Sequence, residues 1–210
     1  MVPAPVAARA DKAGGRMQAS ISIYGTAPPS PLPIRGLTQL IMDSVRRGEA
    51  LGLSETLQET DYRSAFADLA ARAAVGNAGI AVATAGDGTV VGSAYWLRSK
   101  YATEHVLATV DQVVVAPDSR RQGIAGRIVE SLVKDGTAHG IEVFELTVRS
   151  NNHGAIRLYE RIGFGRCGVL PGVIAIGDLR HDSVVMCREE GRPDRVRRVF
   201  GMPVGQGASF

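Results

Sequence analysis

The chain has 210 residues and a mass of 22.2 kDa, which bounds it at one good-sized domain with room for appendages. Apolar residues make up 45% and charged residues 21%, proportions that exclude wholesale disorder, and no apolar run is long enough for a membrane-spanning helix. A net charge of +3 is too mild to imply nucleic acid as a partner.

In chain order, residues 1–18 are small-residue and proline punctuation, and six of the ten prolines fall within residues 1–36. AARA at 7–10 resembles a leader-cleavage site, but no apolar stretch precedes it, so a disordered extension is expected rather than a secretory signal. Leu37, Leu40, Ile41 and Val45 share one helical face, with Pro33 just ahead and Gly48 just beyond. Tyr62, Phe66, Leu69 and Ala73 form a second helical stripe. Two β-type runs, 80–85 and 89–97, follow, joined by Gly-Asp-Gly at 86–88, a sequence suited to a tight hairpin. A third run, 105–115, ends ahead of Pro117. At the other end, residues 191–210 mix Gly, Pro and Arg and read as a flexible basic tail, leaving 19–190 as the folded domain. Arg192, Arg195, Arg197 and Arg198 in that tail could hold a few phosphates without reading sequence. Cys167 and Cys187 lack CxxC or metal-ligand spacing, and no histidine has an acidic partner at metal spacing, so no metal is expected. Two such thiols read as reduced and structural, which suggests a cytoplasmic protein.

The chemistry begins after Pro117. Ile124, Ile128 and Leu132, with Ala125, Val129 and Val133, give a helix a wide buried face. Its first turn, Gln122-Gly123-Ile124-Ala125-Gly126, leaves backbone N–H groups without bulky cover. Such donors at the positive end of a helix dipole receive phosphate oxygens, and Arg120, Arg121 and Arg127 add guanidinium groups suited to a diphosphate. The turn matches neither GxxxxGK[ST] nor GxGxxG. Next come a strand over 141–148 and a helix over about 153–162, with Asn152 as N-cap and Gly163 as stop. Ala155, Leu158, Tyr159 and Ile162 share its inward face.

These residues carry a resemblance. Arg-x-x-Gly-x-Ala (Arg120 to Ala125) after a strand end resembles the acetyl-coenzyme A motif of the GNAT superfamily of N-acetyltransferases. Asn-x-x-Ala-x-x-Leu-Tyr-x-x-x-Gly-Phe (Asn152 to Phe164) is similar to that superfamily's second signature. The segment 167–186 also resembles the end of the tabtoxin-resistance-like antibiotic acetyltransferases. The resemblance implies an α/β (α+β) GNAT fold: a mixed, mostly antiparallel sheet splayed into a V, with helices on both faces. It implies acetyl-CoA as cofactor, with pantetheine entering beside Val113, Val114 and Val115. The pyrophosphate would lie on the amides of Gln122, Gly123, Ile124, Ala125 and Gly126, with Arg120, Arg121 or Arg127 near, and Asn152 and Ala155 along the pantetheine. Tyr159 would protonate the departing thiolate, whose reference pKa lies about 1.5 units below that of tyrosine. The base is open between Asp111 and, at the start of that strand, Glu104 or His105. The acceptor is expected between residues 48–60 and 171–182, where Glu49, Asp178 and Asp182 could attract an amine. The expected substrate is the primary amine of a small molecule, an amino-acid-like metabolite or an antibiotic. A protein amino terminus or lysine is the alternative, and an inactive acyl-CoA-binding module a third reading. A homodimer is compatible with the superfamily.

Overall fold

The computed structural model describes residues 19–191 except 27, 29, 30, 50, 54 and 55; the expected extension 1–18 and the tail past 191 lie outside the described residues. The elements run β1 (Ser20–Tyr24), α1 (Ile34–Arg46), α2 (Glu59–Ala74), β2 (Ala78–Thr84), β3 (Val90–Arg98), β4 (Leu107–Val115), α3 (Ile124–Ala138), β5 (Val143–Arg149), α4 (His153–Arg161), β6 (Gly165–Ile176) and β7 (Leu179–Glu189). The strands form one seven-stranded sheet in the order β1-β2-β3-β4-β5-β7-β6. Every neighbouring pair is antiparallel except β4 and β5, which run parallel.

Period-two patterning gives the sheet two apolar faces. In β2, Ala81 and Ala83 join a core beneath α3 and α4, whereas Ile80 and Val82 join a second core beneath α1 and α2. The stripes read from the sequence are the ones buried: Leu37, Leu40, Ile41 and Val45 of α1, and Tyr62, Phe66, Leu69 and Ala73 of α2. On the opposite layer, Ile124, Ile128, Val129, Leu132 and Val133 of α3 face Phe144 and Leu146 of β5. Each fully buried Leu or Ile contributes about 1.5–3 kcal/mol. Trp96 is fully buried among them, and its indole N–H donates to Asp135 of α3 at 2.8 Å. Trp96 therefore belongs to the core.

The β2–β3 hairpin turns at Gly86–Gly88 as expected, with Gly88 at φ +86° and the Thr89 amide donating to Asp87 Oδ1. Four strand starts differ from the sequence reading by one or two residues; β2 begins at Ala78 and β3 at Val90. β4 begins at Leu107, because residues 102–104 form a 3-10 turn whose next residue, His105, turns its Nδ1 to the Ala102 carbonyl oxygen. β5 begins at Val143 and runs one residue further than expected, to Arg149.

Candidate active site

The sheet opens at its only parallel seam. β4 and β5 pair at Leu107–Val143, Ala108–Phe144 and Thr109–Glu145, and there the ladder stops. β4 continues six residues to Val115 and β5 four to Arg149, each still paired on its outer side. The parted strands leave open ladder edges, which present backbone donors and acceptors to anything extended that enters between them. A cleft of about 770 Å³ fills the gap, walled by the α1–α2 connection (Gly48, Glu49, Leu51–Leu53) and by Ile174–Ile176 of β6.

A bulge shapes the β4 side. Ser93 pairs with Val114 but Tyr95 with Asp111, so β4 holds one extra residue around Gln112, whose φ is +48°. Bulges turn backbone groups out of a ladder and re-aim side chains. Asp111 at this step lines the cleft and accepts a hydrogen bond from the Tyr95 hydroxyl at 3.3 Å. Val113 lines the cleft too, while Val114 is buried against the α1–α2 layer and the Val115 carbonyl accepts from Arg120 Nε.

From the other layer comes Tyr159 of α4, 7% exposed and edge-on to Phe164. Burial, and then the negative charge of Asp111, push its phenol up to about 12. The two side chains thus sense each other across the parted seam. This alters the expected proton balance, because the gap to an ordinary thiol widens to about 3.5 units, near 5 kcal/mol for full transfer. Tyr95 is pushed up by burial and by the same carboxylate.

At the α3 start, Gly123 takes the N-cap position at φ +77°, with no side-chain cap on the helix. A Cβ there would meet nothing within 4 Å, so the left-handed backbone, not crowding, calls for glycine. Arg121 is left-handed as well, at φ +59°, and alternating handedness of this kind makes successive amides converge on a concavity. Ile124 is buried and Ala125 half-buried against the core, so they offer this concavity their backbone only. Gln122 Oε1 is buried and has no hydrogen-bond partner.

The arginines divide. Arg120 donates through Nη2 to Glu49 at 2.5 Å, tying the α3 approach to the α1–α2 connection. For Glu49, burial raises the carboxyl pKa, but bonds and charges from Arg47 and Arg120 outweigh it and leave the group below its ordinary value. Arg127 points to β1, where Nη2 donates to the Ala19 carbonyl at 2.8 Å, so its guanidinium is engaged away from the expected phosphate position. All three are exposed, but Arg121, unlike Arg120 and Arg127, holds no carbonyl or carboxylate partner among the described residues. Asn152 caps α4 as expected, accepting from the Ala155 amide at 3.2 Å, and lines the cleft. Ala155 thus gives its amide to the cap.

Glu104 does not reach the site. It lies in the 3-10 turn, accepts from the Ser99 hydroxyl at 2.6 Å, and is separated from the cleft by the closed part of the β4–β5 ladder, as is His105. Tyr101 is 56% exposed and walls nothing. Asp178 and Asp182 do not line the cleft; Asp182 instead accepts from the Gly172 amide. Among the described residues no group of three or more His, Cys, Asp or Glu could hold a metal, and no helix is long and apolar enough to cross a membrane. One cleft residue went unnoticed in the sequence: Arg149, at the end of β5, whose Nε is buried without a partner. The alternation Phe144, Leu146, Val148 already placed it on the face opposite to the α3–α4 core.

A sheet parted at its parallel seam, with a bare helix start at one end of the gap, defines the acyl-CoA N-acyltransferase class of fold. The model of the acetyltransferase (GNAT) family matches residues 42–164, and the chain belongs to that family. A Pseudomonas aeruginosa L-methionine sulfoximine/L-methionine sulfone acetyltransferase is 30% identical over 158 residues, 75% of this chain and 86% of that protein. The Escherichia coli ribosomal protein bS18-alanine N-acetyltransferase is 33% identical over 79 residues, 38% of this chain. The match spans only about half (53%) of that relative's length. Among solved structures, a Sinorhizobium meliloti phosphinothricin acetyltransferase in complex with acetyl-CoA superposes with a TM-score of 0.70 at 20% identity, covering 82% of this chain and 89% of that one.

Proposed function

We propose that this chain is an acetyl-CoA-dependent N-acetyltransferase acting on the primary amine of a small, amino-acid-like molecule. The observation that carries the reading is that Tyr159 and Asp111 line one cleft at the parted β4–β5 seam. The residues present fit acetyl-CoA: the open β4 edge near Val113 suits an extended amide arm, and the uncapped amides of Gly123 to Gly126 suit a pyrophosphate. Arg121 would contact the pyrophosphate, and Asn152 the arm. When bound, the thioester supplies an acetyl group activated toward attack by nitrogen.

The protein's own residues do the rest. An alkyl ammonium with a pKa near 10 must lose a proton before it attacks, and the Asp111 carboxylate takes that proton, directly or through a water. A backbone N–H of the β4 bulge holds the charge that develops on the carbonyl oxygen. Tyr159 keeps its phenol protonated and hydrogen-bonds the sulfur as negative charge grows there, releasing the proton late because it is the weaker acid. The walls at Gly48, Glu49 and Leu51–Leu53 and at Ile174–Ile176 bound a cleft of a size usual for small-molecule sites.

The 75% coverage by the methionine sulfoximine/sulfone relative supports an amino-acid-like acceptor. The partial likeness to the bS18-alanine N-acetyltransferase favours a second reading, a protein amino terminus as acceptor. Thiol release from acetyl-CoA, measured across amino acids and their sulfone or sulfoximine analogues, aminoglycosides, polyamines and free-amine peptides, separates them. Release with an amino-acid-like amine is expected. Release with peptides alone would move the assignment to the second reading, and no release with any amine would overturn both.

A further inference from the structure

We infer that Arg149 is the receptor for a carboxylate on the acceptor, so that the amine acetylated belongs to a zwitterion, an α-amino acid or close analogue. The inference rests on the reading above and names the substrate class of that same cleft.

β5 alternates. Phe144, Leu146 and Val148 enter the core beneath α3 and α4, so Glu145, Thr147 and Arg149 face the other side of the sheet. That side holds the α1–α2 connection and the Tyr95 hydroxyl on Asp111, and it is where an acceptor must approach if the thioester enters between the strands. Glu145 is engaged by the Thr109 hydroxyl at 3.1 Å, next to the closed ladder. Arg149 lines the cleft with Nε buried and unpartnered. It forms no ion pair among the described residues, whereas the cleft's other charged groups, Glu49 and Asp111, are acidic. A half-buried guanidinium that faces a cleft and lacks an acid of its own is suited to a bidentate carboxylate from outside.

Asp111 of β4 and Arg149 of β5 line the same cleft from opposite sides of the parted seam. An α-amino acid carries amine and carboxylate on one carbon, so a single acceptor can turn its nitrogen toward Asp111 and its carboxylate toward Arg149. Arg149 is then a specificity residue: it orients the acceptor and takes no part in bond making.

The test compares L-methionine sulfone with its descarboxy analogue, the same sulfone amine without the carboxylate, by kcat/KM for thiol release. The wild-type protein should prefer the carboxylate-bearing amine by at least about tenfold. In Arg149→Met that preference should fall to about one, chiefly through a raised KM for the carboxylate-bearing amine, and Arg149→Lys should restore part of it. Wild-type protein that acetylates both amines equally, or an Arg149→Met preference within threefold of wild type, overturns the inference and leaves small-amine acetylation standing. Wild-type protein that acetylates peptides alone, or no amine, removes the parent reading and this inference with it. If Arg149→Met does not fold, Arg149→Gln takes its place in the same comparison, and an unchanged preference there overturns the inference.

Discussion

At the residue scale, two side chains that line the cleft, Tyr159 and Asp111, have opposite duties in the proposed reaction. Tyr159 works as a neutral phenol, and its position raises its pKa to about 12. A raised pKa keeps the proton on to higher pH, and the accompanying stability is present below pH 10 and lost as pH climbs from 10 through 12. The pH profile of kcat/KM should therefore rise with amine deprotonation and show no alkaline fall below about pH 10; a fall setting in near pH 9 would contradict this role. Tyr159→Phe should retain coenzyme A affinity while kcat drops roughly one to three orders of magnitude, the usual cost of losing a general acid. Turnover within twofold of wild type would remove Tyr159 from the mechanism. Asp111→Asn should cost about 100-fold near pH 7 and recover in part above pH 9, where the amine is already neutral. An equal loss at every pH would show that Asp111 does not carry the proton.

At the scale of elements, the start of α3 and the bulge in β4 do most to build the site, and they were unequally legible. The sequence Gln122-Gly123-Ile124-Ala125-Gly126 announces a bare helix start because small residues and apolar spacing are local signals. The bulge is not local: it shows only in the offset between Ser93–Val114 and Tyr95–Asp111, that is, in the pairing of two strands. For the same reason the destinations of Arg120 and Arg127 stayed hidden. Their partners, Glu49 and the Ala19 carbonyl, lie 71 and 108 residues away. The edge strand β1 escaped notice although Ser20-Ile21-Ser22-Ile23 alternates, because it is only five residues long and follows directly on the proline- and small-residue-rich stretch. Gly123→Ala puts a β-carbon on a left-handed residue at a cost of about 1–2 kcal/mol. It should lower the melting temperature by a few degrees and weaken coenzyme A binding several-fold by calorimetry. No change in either would show that the turn is not held in this shape.

At the scale of the whole molecule, two apolar cores clamp one sheet, and the cleft exists because the sheet is clamped on both sides of a seam it cannot close. β4 belongs to β3, β5 belongs to β7, and α3 and α4 fill the angle between them. The fold class and the family were legible early because the motifs from Arg120 to Ala125 and from Asn152 to Phe164 sit on consecutive elements around this seam. The acceptor side was legible only in outline: the walls at Gly48, Glu49, Leu51–Leu53 and Ile174–Ile176 fall within the expected 48–60 and 171–182, but Asp178 and Asp182 do not line the cleft. The clamp is tight at Gly79 of β2, where an added β-carbon would lie 2.2 Å from Asp135 Oδ2 and 2.4 Å from Trp96 Nε1. Gly79→Ala should break the Trp96–Asp135 bond and overpack the core, costing about 2–4 kcal/mol. At roughly 2–4 °C per kcal/mol for a chain of this size, the melting temperature should fall by about 5–15 °C; a shift under 2 °C would refute the packing described.

The parted seam itself can be tested by one crystal soak with acetyl-CoA at saturating concentration. The account predicts difference density that starts on the amides of Gly123 to Gly126, runs between β4 and β5 beside Val113, and ends with sulfur at Tyr159. A vacant seam, or density for the thioester anywhere else on the molecule, would contradict it.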